Sequence, residues 1–191
     1  MRLALLNSLR ILPAPATRGA VCPFCLVPVI ARCGTVRAWH WAHAEGNCDS
    51  WLAPDTEWTN EWKSHFPQDC TEVLRAGRVA DIALSDRVLE LVQLGLTPTQ
   101  IEEREAAFTP MAWVVDAHSA RIELEPDPDG FVRFTWPRPR TNWLHAAQPV
   151  VLDLGSEILH VKKMRTNRSG AIRGWGYHYP KPTFLDLLVC P

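Results

Sequence analysis

The sequence predicts an α/β protein in which a small metal-binding module precedes a larger sheet domain. Three observations support this fold class. Cysteine, histidine and tryptophan crowd into residues 22–48, helix-start signals alternate with β-rich runs between residues 55 and 117, and further apolar segments follow. At 191 residues the chain has room for one full domain and a small extra module. The predicted domains are 1–50, a strand plus a zinc-ribbon-like module, and 51–191, the larger domain with a basic C-terminal extension.

The composition is that of a soluble globular protein, with 47% hydrophobic and 21% charged residues. No apolar run approaches the roughly 18–20 residues that a membrane-spanning helix needs, and polar residues interrupt the start of the chain before a signal-peptide core forms. We therefore expect a cytoplasmic protein with no membrane partner. From residue 131 on, nine Lys and Arg stand against three Asp and Glu. This basic region is compatible with phosphate contacts and equally with a solvated surface.

The first half of the chain carries local signals for each element in turn. Residues 1–12 could form a strand. Residues 55–66 (DTEWTNEWKSHF) are predicted to be an amphipathic helix, because Trp58 and Trp62 stand four residues apart and Pro67 ends the pattern. Residues 71–85 and 87–96 are β-rich runs that a short turn could join into a hairpin.

The second half begins with a helix whose start is well marked. Thr97 at the N-cap, Pro98 at N1 and Gln100 at N3 form a capping-box pattern. Residues 111–117 (MAWVVDA) then read as a buried strand, and 121–149 as loop and edge-strand material. Two late apolar segments, 149–164 and 183–190, are separated by residues 165–182, which we interpret as a flexible basic loop.

The cysteine and histidine spacing predicts a zinc site. Cys22-x2-Cys25 is followed after fourteen residues by His40-x2-His43, and the intervening stretch alternates like a hairpin with Gly34 at its tip. Tetrahedral zinc takes four nitrogen or sulfur ligands, and two close pairs present them economically. A closed site of this kind is structural. Cys33 and Cys48 are possible substitute ligands, and a buried cluster of free thiols is the alternative.

Three carboxylates are candidates for a second metal. Glu57 on the predicted helix, Asp81 on one strand and Glu90 on the next could hold Mg²⁺ or Mn²⁺ for phosphodiester hydrolysis. The alternative is that they are ordinary surface or strand-end acids, since the helix dipole favours an acid at position 57 in any case.

Several stretches, in order, resemble the competence protein CoiA-like nuclease family. They are LLNSLRILPAP, CPFC with VIARCGTVRAWHWAH, CDSW with TEWTNEWKSHFP, RVADI, VLEL, IEEREAAF and MAWVVDA. The resemblance covers most of residues 1–117 and extends more loosely beyond. It implies an N-terminal zinc-binding element and a mixed sheet flanked by helices, of the restriction-endonuclease-like PD-(D/E)xK type.

The resemblance also implies an activity and its residues. Glu57, Asp81 and Glu90 match the family's acids, and Lys63 matches a common lysine. The metal pairs match at Cys22, Cys25, His40 and His43. The implied function is a Mg- or Mn-dependent deoxyribonuclease acting on single- or double-stranded DNA, with a structural zinc and no organic cofactor.

Three departures from the family pattern lead to competing interpretations. Thr59 replaces a histidine, Val92 the glutamine at the superfamily's lysine position, and Leu94 a serine. Because a valine cannot position the attacking water, the alternative is a catalytically impaired protein that binds nucleic acid. A third possibility is a protein-interaction module that exposes some of the nine tryptophans. Of these, Trp175 is the candidate for base stacking.

Overall fold

The computed structural model describes residues 1–45, 48–49, 51, 55–93, 95–139 and 141–188, without the side chains of 141 and 142. Leu94, one of the three departures, lies outside this range. Apart from the last two residues, contacts divide the chain into two compact units, Met1–Ala83 and Leu84–Val189. This partition differs from the predicted domains 1–50 and 51–191, and we call the two parts unit 1 and unit 2.

Within the described residues, unit 1 contains three antiparallel strand pairs, one α-helix and a short 3-10 helix (Gln68–Cys70). Its elements are β1 (Ala4–Leu6), β2 (Leu9–Ile11), β3 (Val29–Arg32), β4 (His40–His43), α1 (Glu57–Ser64), β5 (Thr71–Arg75) and β6 (Arg78–Ala83). β1 pairs with β2, β3 with β4, and β5 with β6. The predicted hairpin between the cysteine and histidine pairs is therefore confirmed, as is the helix starting near residue 55.

Buried tryptophans build the core of unit 1. Trp41 packs among Met1, Ala4, Cys22 and Val29, and its indole nitrogen donates to the carbonyl of Ile11 at 3.1 Å. On α1, Trp58 and Trp62 are both buried, with ring centroids 6.4 Å apart in an edge-on arrangement. The four-residue spacing read from the sequence therefore marks the buried face of this helix.

Unit 2 contains a large mixed sheet. Its strands are β7 (Val88–Val92), β8 (Met111–Asp116), β9 (Glu123–Pro126), β10 (Val132–Trp136), β11 (Val150–Asp153), β12 (Glu157–Thr166) and β13 (Ile172–Pro180). Within this unit they lie in the order β7-β8-β11-β12-β13-β10-β9. β7, β8 and β11 are parallel neighbours, whereas the remaining pairs are antiparallel. The predicted α/β class with a mixed sheet is confirmed.

Two helices accompany this sheet, α2 (Pro98–Phe108) and α3 (Lys181–Asp186). α2 begins as predicted: the Thr97 side chain accepts from the N–H of Gln100, and the Gln100 side chain accepts from the N–H of Thr97. α2 makes the crossover between β7 and β8, the usual connection of parallel strands. Within the described residues, no helix is both long and apolar enough to cross a membrane.

The predicted flexible loop at 165–182 is wrong. β12 continues to Thr166, and β13 runs from Ile172 to Pro180 as its antiparallel partner. Gly174 and Gly176 misled the sequence interpretation, because glycine usually marks a loop. Here a Cβ at Gly174 would lie 2.1 Å from the carbonyl oxygen of Lys163, so glycine is needed for the close approach of two strands.

Candidate metal centre and carboxylate clusters

Four metal-binding side chains converge in unit 1. They are Cys22, Cys25, His43 and Cys48, and one ligand atom from each lies within 4.8 Å of all the others. Cys22 and Cys25 belong to a turn in which the N–H of Leu26 donates to the carbonyl of Cys22 at 3.0 Å. The N–H of Phe24 donates to the Cys22 sulfur at 3.4 Å, which aims that sulfur inward.

The distances between these atoms fit one tetrahedral zinc ion. Zn–S bonds of about 2.3 Å and Zn–N bonds of about 2.1 Å place two sulfurs about 3.8 Å apart, and a sulfur and a nitrogen about 3.6 Å apart. The Cys22 and Cys48 sulfurs are 3.7 Å apart, and the Cys25 sulfur lies 3.3 Å from Nε2 of His43. The group could therefore hold a metal such as zinc with little rearrangement.

The fourth member of this group is Cys48, whereas His40 was predicted. His40 and His43 lie three residues apart on β4, and on a strand such residues point to opposite faces. The His40 ring contacts the carbonyl of Ala38 at 2.9 Å through Nδ1 instead. The H-x2-H spacing places two ligands together in a turn or helix, but not in a regular strand. Cys48, a possible substitute in the sequence, completes the set.

The pKa values of the three thiols in this group are consistent with a site for a cation. Burial, and then the sulfurs of Cys22 and Cys25, raise the pKa of Cys48 to about 12. Burial likewise raises the pKa of Cys22. Burial acts in the same direction on Cys25, but hydrogen bonds from the Val27 N–H and the neighbouring thiols lower its pKa overall. Without a cation the three sulfurs cannot all ionise, whereas a divalent ion stabilises all three thiolates.

A second cluster in unit 1 surrounds Lys63 of α1. Its ammonium nitrogen lies 2.8 Å from Asp55, 3.3 Å from Glu72 and 3.1 Å from Asp81. Lys63, Asp55 and Glu72 are buried, whereas the Asp81 side chain keeps 22% of its surface exposed. Burial alone would lower the pKa of Lys63, but its carboxylate partners raise it well above the ordinary value. The carboxylates around Lys63 favour its charged form, which cannot accept a proton as a general base does.

The β5–β6 register explains why a lysine is needed there. Thr71 faces Ile82 and Val73 faces Ala80, so Glu72 and Asp81 occupy facing positions. Two negatively charged acids opposite one another repel and destabilise the strand pair, and the Lys63 ammonium between them offsets this repulsion. Glu72 also has a positive φ of 50°, a strained conformation for a residue with a side chain. Its carboxylate is held by the N–H groups of Arg2 and Leu3, at 2.6 and 2.9 Å.

Glu57, the helical acid of the predicted catalytic set, is not among the carboxylates that contact Lys63. Glu57 is the first residue of α1 and its side chain is exposed. Asp55, two residues earlier, is one of the three acids that contact Lys63. Thr59, at the position where the resemblance implies a histidine, accepts from the N–H of Thr56 at 2.8 Å and completes the capping box of α1. Its hydroxyl therefore stabilises the start of the helix.

Glu90, the predicted acid of unit 2, lies in the interior of the sheet. It is 1% exposed, and its carboxylate accepts from Arg104 of α2 at 2.5 Å. Val92, two residues further along β7, is buried as well. The next residue, Gln93, donates to the carboxylate of Asp116 at 2.8 Å. Glu90 is thus already balanced by a cation of its own unit.

Comparison of the chain with protein-family models, with curated proteins and with solved structures gives no match. The resemblance to CoiA-like nucleases therefore stays a prediction from the quoted motifs. The buried acids Asp55 and Glu72 were missed in the sequence. Asp55 could have been suspected, because an acid just before a helix that carries a buried lysine can turn back onto it.

Proposed function

We propose that the chain is a divalent-metal-dependent nuclease that acts on DNA, with a structural zinc in unit 1. The observation that carries the proposal is Asp81, a partly exposed carboxylate 3.1 Å from a buried ammonium. Lys63 and the Met1 amine, which also pairs with Asp55, balance two of the three acids of this cluster, and the Arg10 guanidinium lies near the third, Glu72. Asp81 is the member of this cluster at which a hydrated Mg²⁺ or Mn²⁺ would find an accessible oxygen.

In this proposal each residue has a distinct task. Asp81 would bind the metal, which polarises the phosphate and lowers the pKa of its bound water. Lys63 would fix the orientation of the Asp81 carboxylate and stabilise its charge. The four ligands Cys22, Cys25, His43 and Cys48 would stabilise the surrounding fold. The order α1, β5, β6 with Asp81, then β7, α2 and the parallel β8 supports a restriction-endonuclease-like arrangement.

A second candidate function is nucleic-acid binding without hydrolysis. It is favoured by Val92, which is buried and apolar at the position where the family resemblance implies a polar residue. The Glu90–Arg104 ion pair also favours it, because a carboxylate already bound to a guanidinium is a weaker metal ligand. Both candidate functions predict that the chain binds DNA, but only the first predicts that it cleaves DNA.

The test is cleavage of plasmid DNA and circular single-stranded DNA by the purified full chain, with Mg²⁺, Mn²⁺ or Ca²⁺ or with no added ion. We expect cleavage with Mn²⁺ and Mg²⁺, and a loss of at least about 100-fold in Asp81→Asn, since even outer-shell changes at metal sites cost 10- to 100-fold. The matched control is Asp86→Asn, an exposed acid paired with Arg87.

Two results would count against hydrolysis. Cleavage that persists in Asp81→Asn would mean that the activity arises elsewhere or from a contaminant. DNA binding by the folded protein without cleavage under any ion would favour the second candidate. In that case Val92→Gln is the next variant, and a gain of Mn²⁺-dependent cleavage would identify residue 92 as the missing polar group.

A further inference from the structure

One surface of the unit 2 sheet is both basic and aromatic. The β9–β10–β13–β12 register places Glu125, Arg133, Trp175 and Lys163 in one row across the strands. The adjacent row, two residues along each strand, contains Thr135, Arg173 and Arg165. Because directly paired residues and residues two apart share a face, these side chains point to the same side. We call this surface the basic aromatic face; six of its residues are Phe131, Arg133, Lys163, Arg165, Arg173 and Trp175.

The aromatic side chains form a platform around Trp175. Its ring centroid lies 5.4 Å from that of Phe131 and 6.3 Å from that of Tyr177. Trp175 is 37% exposed and Tyr177 is 39% exposed. The ammonium of Lys162 lies 5.7 Å from the centroid of Tyr177. A planar ligand could therefore stack on this platform without displacing core residues.

The cations of the face are available to a ligand. Arg133 pairs with Asp127 at 2.8 Å. Lys163, Arg165 and Arg173 are exposed and have no ion-pair partner within the described part of the chain. The two rows contain four cations, Arg133 among them, and two acids of β9, Glu123 and Glu125, so their formal charges sum to +2 although the whole chain has a formal net charge of −1. Such a surface favours a polyanion.

The backbone beneath the platform is closely packed. A Cβ at Gly176 would lie 2.3 Å from the carbonyl oxygen of His160, and one at Gly174 would lie 2.6 Å from the ring of Phe134. The two glycines on either side of Trp175 therefore let β12 and the buried ring of Phe134 approach β13. The platform is held by a sheet rather than by a loop, which favours a preorganised binding site.

We propose that the basic aromatic face binds single-stranded DNA, with bases stacked on Trp175 and phosphates held by Lys163, Arg165 and Arg173. The face borders an open groove of about 690 Å³, within the range of ligand sites. Stacking on a sheet-borne aromatic ring requires unpaired bases, which a duplex keeps stacked inside. This site uses unit 2 alone, so it goes beyond the proposed hydrolysis and does not depend on it.

The experiment measures the affinity of the full chain for a labelled 20-nucleotide oligo(dT) by fluorescence polarisation, without Mg²⁺ or Mn²⁺. We expect Trp175→Ala to weaken binding by about 5- to 150-fold, the range for loss of one stacking ring. Trp175→Phe should keep most of the affinity. The matched control is Trp39→Ala, at a tryptophan 46% exposed in unit 1.

Salt dependence tests the phosphate contacts separately. Three contacts to a single strand predict a slope of log K against log[salt] of about −2, and Lys163→Ala should reduce its magnitude by about 0.7. Lys163→Ala removes an exposed side chain, so this variant stays informative if Trp175→Ala fails to fold. A slope that Lys163→Ala leaves unchanged would overturn the assignment of the phosphate contacts.

Comparison of ligands completes the test. A duplex or an RNA of the same length that binds more tightly than the DNA strand would overturn the proposed occupant. Equal losses in Trp39→Ala and Trp175→Ala would overturn the proposed location. Asp86→Asn, the control variant of the cleavage assay, should bind the DNA strand as tightly as the unmodified chain. A failure of hydrolysis therefore shows in the cleavage assay, whereas a failure of this face shows in binding.

Discussion

Exchange of single zinc ligands tests the identity of the fourth one. We expect Cys48→Ala to lower zinc affinity strongly, and His40→Ala to leave both affinity and one-to-one stoichiometry unchanged. Cys33→Ala is the matched control, since Cys33 is a free cysteine outside the four-residue group. The reason is geometric, because the Cys48 sulfur lies 3.7 Å from that of Cys22 whereas His40 stands on the other face of β4.

The magnitude follows from the four-ligand geometry. Structural zinc sites contribute about 10–16 kcal/mol in total, so each of four comparable ligands accounts for about 2.5–4 kcal/mol. A loss of that size corresponds to a reduction of about 70- to 900-fold in the zinc affinity of Cys48→Ala, and a water molecule that takes the place of the lost ligand would make the reduction smaller. The sulfurs of Cys22 and Cys48 are already 3.7 Å apart, close to the separation that a tetrahedral zinc ion requires.

The measurement is competition of each purified variant against a zinc-binding dye, together with elemental analysis of the protein as purified. The reasoning would be refuted by a His40→Ala protein that loses zinc and a Cys48→Ala protein that keeps it. A loss in Cys33→Ala equal to that in Cys48→Ala would equally refute it, because it would show a general effect of cysteine removal on folding.

The buried cluster of unit 1 leads to two further predictions. Lys63→Met should lower the free energy of unfolding by about 3–5 kcal/mol in urea titrations, because it leaves Asp55, Glu72 and Asp81 without their common cation. The exposed Lys162→Met should change it by less than about 0.5 kcal/mol, and similar values for both variants would contradict the buried ion pairs. The second prediction concerns acid: burial alone would raise the pKa of Asp55, but Lys63 and the Met1 amine lower it well below its ordinary value. The unfolded chain therefore takes up this proton first, so the stabilisation is present above about pH 4 and is lost as the pH falls below it. Asp55→Asn should have a lower free energy of unfolding than the unmodified chain at pH 6. The difference in this free energy should shrink between pH 4 and pH 2.5. A difference that does not change with pH would show that the charge of Asp55 has no part in stability.

Local signals in the sequence were sufficient for several elements. The start of α2 was predicted residue by residue, because Thr97 and Gln100 satisfy each other's backbone groups without help from the rest of the fold. The tryptophan spacing on α1 and the hairpin of β3 and β4 were predicted for the same reason. In each case the interacting residues are neighbours in the chain.

Other features depend on contacts that are distant in sequence. The choice between His40 and Cys48 is made by strand alternation and by the course of the chain after β4, and spacing alone does not contain either. The inward turn of Glu72 depends on its positive φ and on N–H groups at residues 2 and 3. For β13, the glycines that suggested a loop are explained by the backbone of β12 and the ring of Phe134, which only the folded sheet brings near.

Asp49 links the metal centre mechanically to the candidate hydrolytic residue. It follows the ligand Cys48 directly, and its carboxylate accepts from the N–H of Val79 at 2.9 Å and from Arg78 at 3.2 Å. Both partners lie on β6, the strand that carries Asp81. Removal of the zinc would release Cys48 and weaken the contacts of Asp49 with β6. A chelator could therefore displace Asp81 without removing any ion bound to it. Inactivation by EDTA would therefore reflect loss of zinc from the metal centre as much as loss of the ion at Asp81. Adding back zinc and Mg²⁺ or Mn²⁺ one at a time separates these two effects.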